Sequence, residues 1–496
     1  MSIPDPQASV MELSIAAIHA RFAQRRLTCT ELTQRLLQRI ERYDKQGPCL
    51  QALLSVSPHA LETARQKDYE YNRNPAAVGP LHGIPVIVKD NYNTADLPTT
   101  GGSVVLAHAR PLHDCFVVQQ LRQAGALILA KANLTELAMG GTTLSSLGGQ
   151  TRNPYDLLRT PGGSSGGTAA AIAANFGIVG TGSDTGQSIR SPASAANLVG
   201  IRPTRGLVSR GGILPISTTQ DEAGPITRSV ADAARMLDVM AGYDPDDPIT
   251  AFGRRQKPRS YVSFLERDGL RGARIGLITD LLGTEAIHEE VNGAMHNAVQ
   301  LMEQLGATVL GLTLPHLTTL AADFGMSRFE FREAFNRYLA RLGPAAPVKN
   351  LAEFLADGRY HPGIKSSLEI YAAEAEGTRS AAYQSQWWRR EALRQAVMTS
   401  LANNDLDALL YPHQKRLVAR IGEAQLERNG VLSHGTGFPA ITFPGGFSRP
   451  MPSAPLGVPI GIELLGPEWS EPQLIRLAYA FEQAAKLRRP PASTPA

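Results

Sequence analysis

The sequence predicts an α/β protein whose largely parallel or mixed sheet is covered by helices on both faces. Three observations carry that expectation. A strand, helix, strand rhythm occupies residues 83–131 and recurs at 273–312. Its strands are short continuous apolar runs, GIPVIVK and ALILA among them, as expected of strands buried on both faces. Its helices stop at glycine, Gly125 and Gly306, where a left-handed residue ends a helix cheaply.

In chain order, residues 32–43 place Leu36, Leu37, Ile40 and Tyr43 near helical spacing, and residues 61–71 read as a second, more charged helix. Together they suggest an N-terminal helical layer over residues 1–75. Residues 83–89 form a β-branched strand with Lys89 at its C-terminal end, followed by a turn-rich segment through Thr100. Helix 116–124 and strand 126–130, ending at Lys131, complete the first unit. The second is strand 273–279, helix 289–305 and strand 307–312. Residues 406–411 and 440–443 add apolar strands, and 471–487 closes with a helix. Segments 323–358 and 383–403 are helical but fall outside the rhythm, so they are expected to cap one side of the sheet. Residues 489–496 are expected to be a loose Pro-rich tail.

Composition narrows the function. The chain has 496 residues, 43% of them hydrophobic and 19% charged, with a net charge of +4. That charge is too dilute for a nucleic-acid partner. Cys29, Cys49 and Cys115 show neither a disulfide framework nor zinc-ligand spacing, so no metal or cofactor is expected and a reducing compartment is the default. The N-terminus lacks a signal-peptide pattern and the longest uncharged stretch is too rich in glycine and hydroxyls for a membrane span. A cytoplasmic protein without a membrane partner is the reading.

The chemistry concentrates between Thr160 and Arg190, where Asp184 is the single charged side chain. Two glycine clusters, PGGSSGGT from Pro161 and GSDTGQSIR from Gly182, bracket an Ala-rich run. Glycine gives up more backbone freedom than any other residue, so such density suggests backbone brought close to a reacting group. Ser164 and Ser188 sit in these clusters. A serine hydroxyl becomes nucleophilic when a base takes its proton, and a buried lysine can be that base because burial disfavours the ammonium form. Lys89 ends an apolar strand and fits the role, although a strand-end lysine reaching into water is the simpler reading of that residue alone. The N–H groups along 185–188 can face an oxyanion.

Two other readings compete. Gly162-Gly-Ser164-Ser-Gly166 matches the short nucleophile-elbow pattern, which requires an acid and a histidine downstream, and no downstream histidine is singled out by its context. A phosphate loop is disfavoured because the cluster lacks the Gly-Lys-Ser/Thr ending.

Lys89 in GIPVIVKDN, PGGSSGGTAAAIAAN from Pro161 and GSDTGQSIRSPAS from Gly182 resemble the amidase signature family. The likeness continues through VGIRPTRGLVSR from Val199, TQDEAGP from Thr219 and GVPIGIELLG from Gly457. It implies a single large α/β/α domain over residues 76–488, with a central mixed, mostly parallel twisted sheet. It also implies a Ser-Ser-Lys triad: Ser188 the nucleophile, Ser164 the bridging serine after a cis Gly163–Ser164 peptide, and Lys89 the base. Thr185, Gly186, Gln187 and Ser188 would supply the oxyanion N–H groups, Ser165 a supporting hydroxyl, and Arg190 with Asp184 a brace for the loop. Gln187 departs from the glycine usual there, and its amide is expected to touch the pocket wall. The implied activity is hydrolysis of a small-molecule carboxylic amide, with the glutaminase component of a glutamyl-tRNA amidotransferase as alternative and a homodimer as the expected assembly. The substrate pocket is expected to involve segments after Gly211, around 323–339 and near 434–438.

Overall fold

The computed structural model describes residues 10–496. One sheet of eleven strands organises the chain, in the order Leu53–Val56, Leu127–Ala132, Pro85–Lys89, Val179–Asp184, Glu222–Thr227, Val199–Arg202, Ala440–Phe447, Pro459–Leu465, Ala408–Pro412, Arg274–Ile278, Thr308–Leu312. Neighbours are parallel where the strand, helix, strand rhythm is legible: Pro85–Lys89 lies parallel to Leu127–Ala132 and to Val179–Asp184, and Arg274–Ile278 parallel to Thr308–Leu312. Through the middle of the sheet the pairing is antiparallel. Several of those middle strands, such as Val179–Asp184 (VGTGSD) and Val199–Arg202 (VGIR), carry glycines in place of the apolar runs by which a buried strand is recognised.

Local chemistry explains the flanking helices. Thr28 and Glu31 form a capping box that starts helix Cys29–Ile40, whose Leu32, Leu36 and Ile40 face the core. Ser229 caps Val230–Met240, and Ser380 caps the long helix Ala381–Asn403. Helices Ser327–Leu342 and Leu351–Asp357 form a satellite cluster in which Phe335 stacks on Phe331 and meets Phe354 edge-on. The last residues, expected as a loose tail, are held against the body: Arg39 donates to the carbonyls of Pro495 at 2.8 Å and Thr494 at 2.9 Å, and Ser493 donates to the Pro154 carbonyl at 2.6 Å. Pro-rich composition suggested looseness, but the anchor is an arginine far away in sequence. Among the described residues no helix is long and apolar enough to cross a membrane.

The Ala-rich run between the glycine clusters is helix Gly166–Ala173, buried along its whole length. It packs so closely that a Cβ on Gly167 would lie 2.2 Å from the Asn133 carbonyl oxygen. This close approach is one structural cause of the glycine density.

Candidate active site

Strand geometry brings Lys89 to the first serine. Pro85–Lys89 and Val179–Asp184 are neighbours, with Val86 opposite Val179 and Ile87 opposite Gly180. Side chains alternate along a strand, so Thr181 and Ser183 share a face. Both meet Lys89: the Lys89 backbone N–H donates to Thr181 Oγ1 at 3.2 Å, and Nζ lies 2.9 Å from Ser183 Oγ and 3.2 Å from the Ser183 carbonyl oxygen. The remaining partner of Nζ is Ser164 Oγ, at 2.7 Å.

Lys89 is fully buried. Desolvation lowers its pKa to about 7, although the carboxylates of Asp184 and Asp221 pull the other way. A neutral amine has two N–H groups and one lone pair. Giving both hydrogens to the oxygens of Ser183 leaves the lone pair for the Ser164 hydroxyl, the arrangement a base requires.

Ser164 follows a cis Gly163–Ser164 peptide bond. Ser188 retains a little exposure, 8%, and its carbonyl accepts from the Ser165 N–H at 3.2 Å. Among the described residues no hydrogen bond joins Ser188 Oγ to Ser164 Oγ. Such links are commonly long before a substrate is bound. Ser165 Oγ donates to the Ser183 carbonyl at 3.3 Å and therefore supports the strand on which the lysine rests.

Among the described residues the backbone N–H groups of Thr185, Gly186, Gln187 and Ser188 have no protein acceptor. A Cβ on Gly186 would meet no atom within 4 Å, so this turn borders open space. Free N–H groups around such a space are what a tetrahedral oxyanion needs. The turn is held from behind. Thr185 Oγ1 donates to Asp221 Oδ1 at 2.5 Å, and Asp221 Oδ2 accepts from the Ile216 and Ser217 N–H groups. Arg190 donates to Asp184 Oδ2 at 3.1 Å, to the Gly186 carbonyl at 2.6 Å and to Glu463 Oε1 at 2.6 Å. Arg202 also bonds Asp184, whose carboxyl is held well below the ordinary range by the two guanidiniums despite burial. Arg190 and Asp184 thus brace the loop.

With its amide oriented to satisfy its surroundings, Gln187 turns its oxygen to Arg428, accepting from Nε at 2.9 Å and Nη1 at 3.1 Å. Three of the downstream histidines are engaged elsewhere: His413 with Glu463, His434 with Gln220 and His288 with Glu427. A cavity of about 360 Å³ adjoins Ser183 and Thr185, walled by residues 210–218 and, from helix Ser327–Leu342, by Ala334 and Tyr338. Residues 434–438 lie outside that wall. Sequence reasoning gave no role to Ser183, Asp221 or Arg428. For Ser183 the signal was present, since period-two alternation places it beside Thr181 once 179–184 is read as a strand.

A buried lysine at hydrogen-bond distance from one serine, a second serine on a turn with free N–H groups, and an adjoining cavity make an arrangement suited to acyl transfer. The chain matches the Amidase family model over residues 31–475. It is 34% identical to a probable amidase of Arabidopsis thaliana, covering 97% of this chain and 92% of that protein. It is 32% identical to the A-type component of glutamyl-tRNA(Gln) amidotransferase from Thermoanaerobacter pseudethanolicus, covering 97% of this chain and 98% of that one. Among solved structures it superposes on native peptide amidase from Stenotrophomonas maltophilia with a TM-score of 0.88 and 36% identity, over 98% of this chain and 100% of that chain. The chain belongs to the amidase family, the amidase signature enzymes, and it is a hydrolase acting on carbon–nitrogen bonds.

Proposed function

We propose that this protein hydrolyses a linear carboxylic amide to the acid plus ammonia or amine, through an acyl-enzyme on Ser188. Ser188 Oγ attacks the amide carbonyl carbon while its proton passes to Ser164 Oγ, whose own proton moves to Lys89 Nζ. The N–H groups of residues 185–188 hold the oxyanion. As the C–N bond breaks, the leaving nitrogen receives the proton back from Lys89 through Ser164. Water then attacks the acyl carbon as its proton passes through Ser164 to Lys89, and when the ester C–O bond breaks that proton returns through Ser164 to Ser188 Oγ, releasing the acid and restoring Ser188. The observation that carries the reading is the 2.7 Å contact of Lys89 Nζ with Ser164 Oγ in a fully buried setting that depresses the lysine pKa.

The supporting test is turnover of a panel of aryl, alkyl and peptide amides by the isolated chain. Ser188→Ala is expected to lower kcat by about 10⁴-fold or more, in the range seen when a member of a catalytic triad is removed. Near-wild-type activity of that variant would reject the nucleophile assignment. The likeness to the amidotransferase component favours a second reading, a glutaminase that supplies ammonia within an assembly. That reading predicts little amide turnover until a partner protein is added. A small-molecule substrate, a cytoplasmic location and a homodimer complete the proposal, the last checked by sedimentation.

A further inference from the structure

The relay leaves one buried acid unused. Glu222 opens strand Glu222–Thr227 in register with Asp184, and it is a wall residue of the cavity that reaches Ser183 and Thr185. It is 1% exposed, and neither carboxylate oxygen has a hydrogen-bond partner among the described residues. The three guanidiniums whose charge acts on it commit their bonds elsewhere. Arg210 donates to Asp247 and the Thr218 carbonyl, Arg202 to Asp184 and the Gln220 carbonyl, and Arg205 to the Thr218 carbonyl. Arg202 Nε and Arg205 Nε are themselves without acceptors among the described residues. Burial raises the pKa of Glu222 to about 7 against the pull of these three guanidiniums, so above pH 7 it is a carboxylate with two unused acceptor atoms and below it still keeps one.

Asn91 repeats the pattern in the same wall. Its Nδ2 donates to Ser183 Oγ at 2.9 Å, and its buried Oδ1 has no partner among the described residues. Leaving a buried acceptor unpaired is expensive, so two at one cavity require a cause. A ligand that donates N–H groups supplies it. In the cavity wall Arg210, Arg337 and Arg341 are matched by Asp221, Asp246 and Asp247, so the wall calls for no charged ligand and a neutral donor satisfies it.

We propose that Glu222 and Asn91 form an acceptor pair that selects amides bearing an additional neutral N–H group, the chemistry of a peptidyl or N-acylamino amide, over alkyl and aryl amides that lack one. The inference rests on the amidase reading of the site, and its test is read without turnover. Calorimetric binding to Ser188→Ala protein compares an N-acylamino acid amide with its ester analogue, in which oxygen replaces the additional N–H. The first should bind at least about tenfold tighter, because the analogue leaves buried acceptors unpaired. Glu222→Leu in the same background should erase that preference, and Glu222→Gln, which keeps one acceptor, should retain part of it and guards against misfolding of the leucine variant. Equal binding of the two ligands by the Ser188→Ala protein, no measurable binding of either at millimolar concentration, or a preference that survives both Glu222 substitutions would overturn the proposal. Loss of turnover in Ser188→Ala tests the amidase reading separately.

Discussion

Lys89 is the residue on which the proposed chemistry turns, and its protonation gives two predictions, one for activity and one for stability. With the amine as base, activity belongs to the neutral form, so kcat/KM should rise with pH through about 7 and level off above it. A pH–rate profile with no acid limb near there would remove Lys89 from the relay. Stability moves in the same direction with pH but over a different window. The folded value lies below lysine's ordinary 10.5, so between about 7 and 10.5 the unfolded chain binds the proton that the native state has lost, and stability rises with pH across that window. Lys89→Met removes the cost of the buried ammonium at every pH. Its melting temperature relative to wild type should therefore be highest at or below pH 7 and should fall back toward pH 10, while its amidase activity is lost throughout. Gln187 shows a related economy: by turning to Arg428 its side chain leaves the neighbouring N–H groups free, so a side chain at this position is compatible with the proposed oxyanion role of the turn.

At the scale of elements, the glycine clusters serve packing as well as chemistry. Helix Gly166–Ala173 lies where a Cβ at 167 would strike backbone, the Asn133 and Ala52 carbonyl oxygens. Gly167→Ala cannot be absorbed by rotating a side chain, so the helix must move and take Ser164 and Ser165 with it. The expected loss is about 2 kcal/mol or more, read as a lower denaturant midpoint, with a fall in kcat; an unchanged midpoint and kcat would show that the helix tolerates the shift. The pattern of what was legible follows from the same chemistry. Strand Pro85–Lys89 stands out because five apolar or β-branched residues precede a lysine. Strand Val179–Asp184 does not, because its core positions are glycines that admit neighbours in place of filling space. The positions of Lys89, Ser164 and Ser188 were accessible through local motifs. Asp221 and Glu222 acquire their places from strand register, and Arg428 from a segment more than two hundred residues downstream, neither of which leaves a local pattern.

Across the whole molecule, a buried ionic network ties the 185–188 turn to the distant half of the sheet. Arg190 spans from Asp184 and Gly186 to Glu463, and Glu463 also accepts from Tyr411 at 2.7 Å and Thr442 at 3.0 Å and lies 2.9 Å from His413 Nδ1. Arg190 and residues from strands 408–412 and 440–447 thus meet at one carboxylate on strand 459–465. Burial alone would raise the pKa of Glu463, but Arg190 and the hydrogen bonds of His413 and Tyr411 bring it down to about 2. A folded value below the ordinary 4.5 means that this group stabilises the native state fully above about 4.5 and loses that contribution as pH falls toward 2. Glu463→Gln keeps the shape but leaves Arg190 one anion short. Removing one partner of a buried pair costs roughly 3 to 5 kcal/mol, so the variant should unfold at a lower denaturant concentration at pH 7, and the gap from wild type should narrow as both are acidified below 4.5. Because Arg190 also holds the Gly186 carbonyl, kcat should fall as well, by a displacement of the oxyanion N–H groups and not by any change in the base: the acid limb set by Lys89 should stay near pH 7. A shift of that limb in Glu463→Gln would mean that the network tunes the lysine directly, whereas an unmoved limb with reduced kcat places its influence in the geometry of the turn.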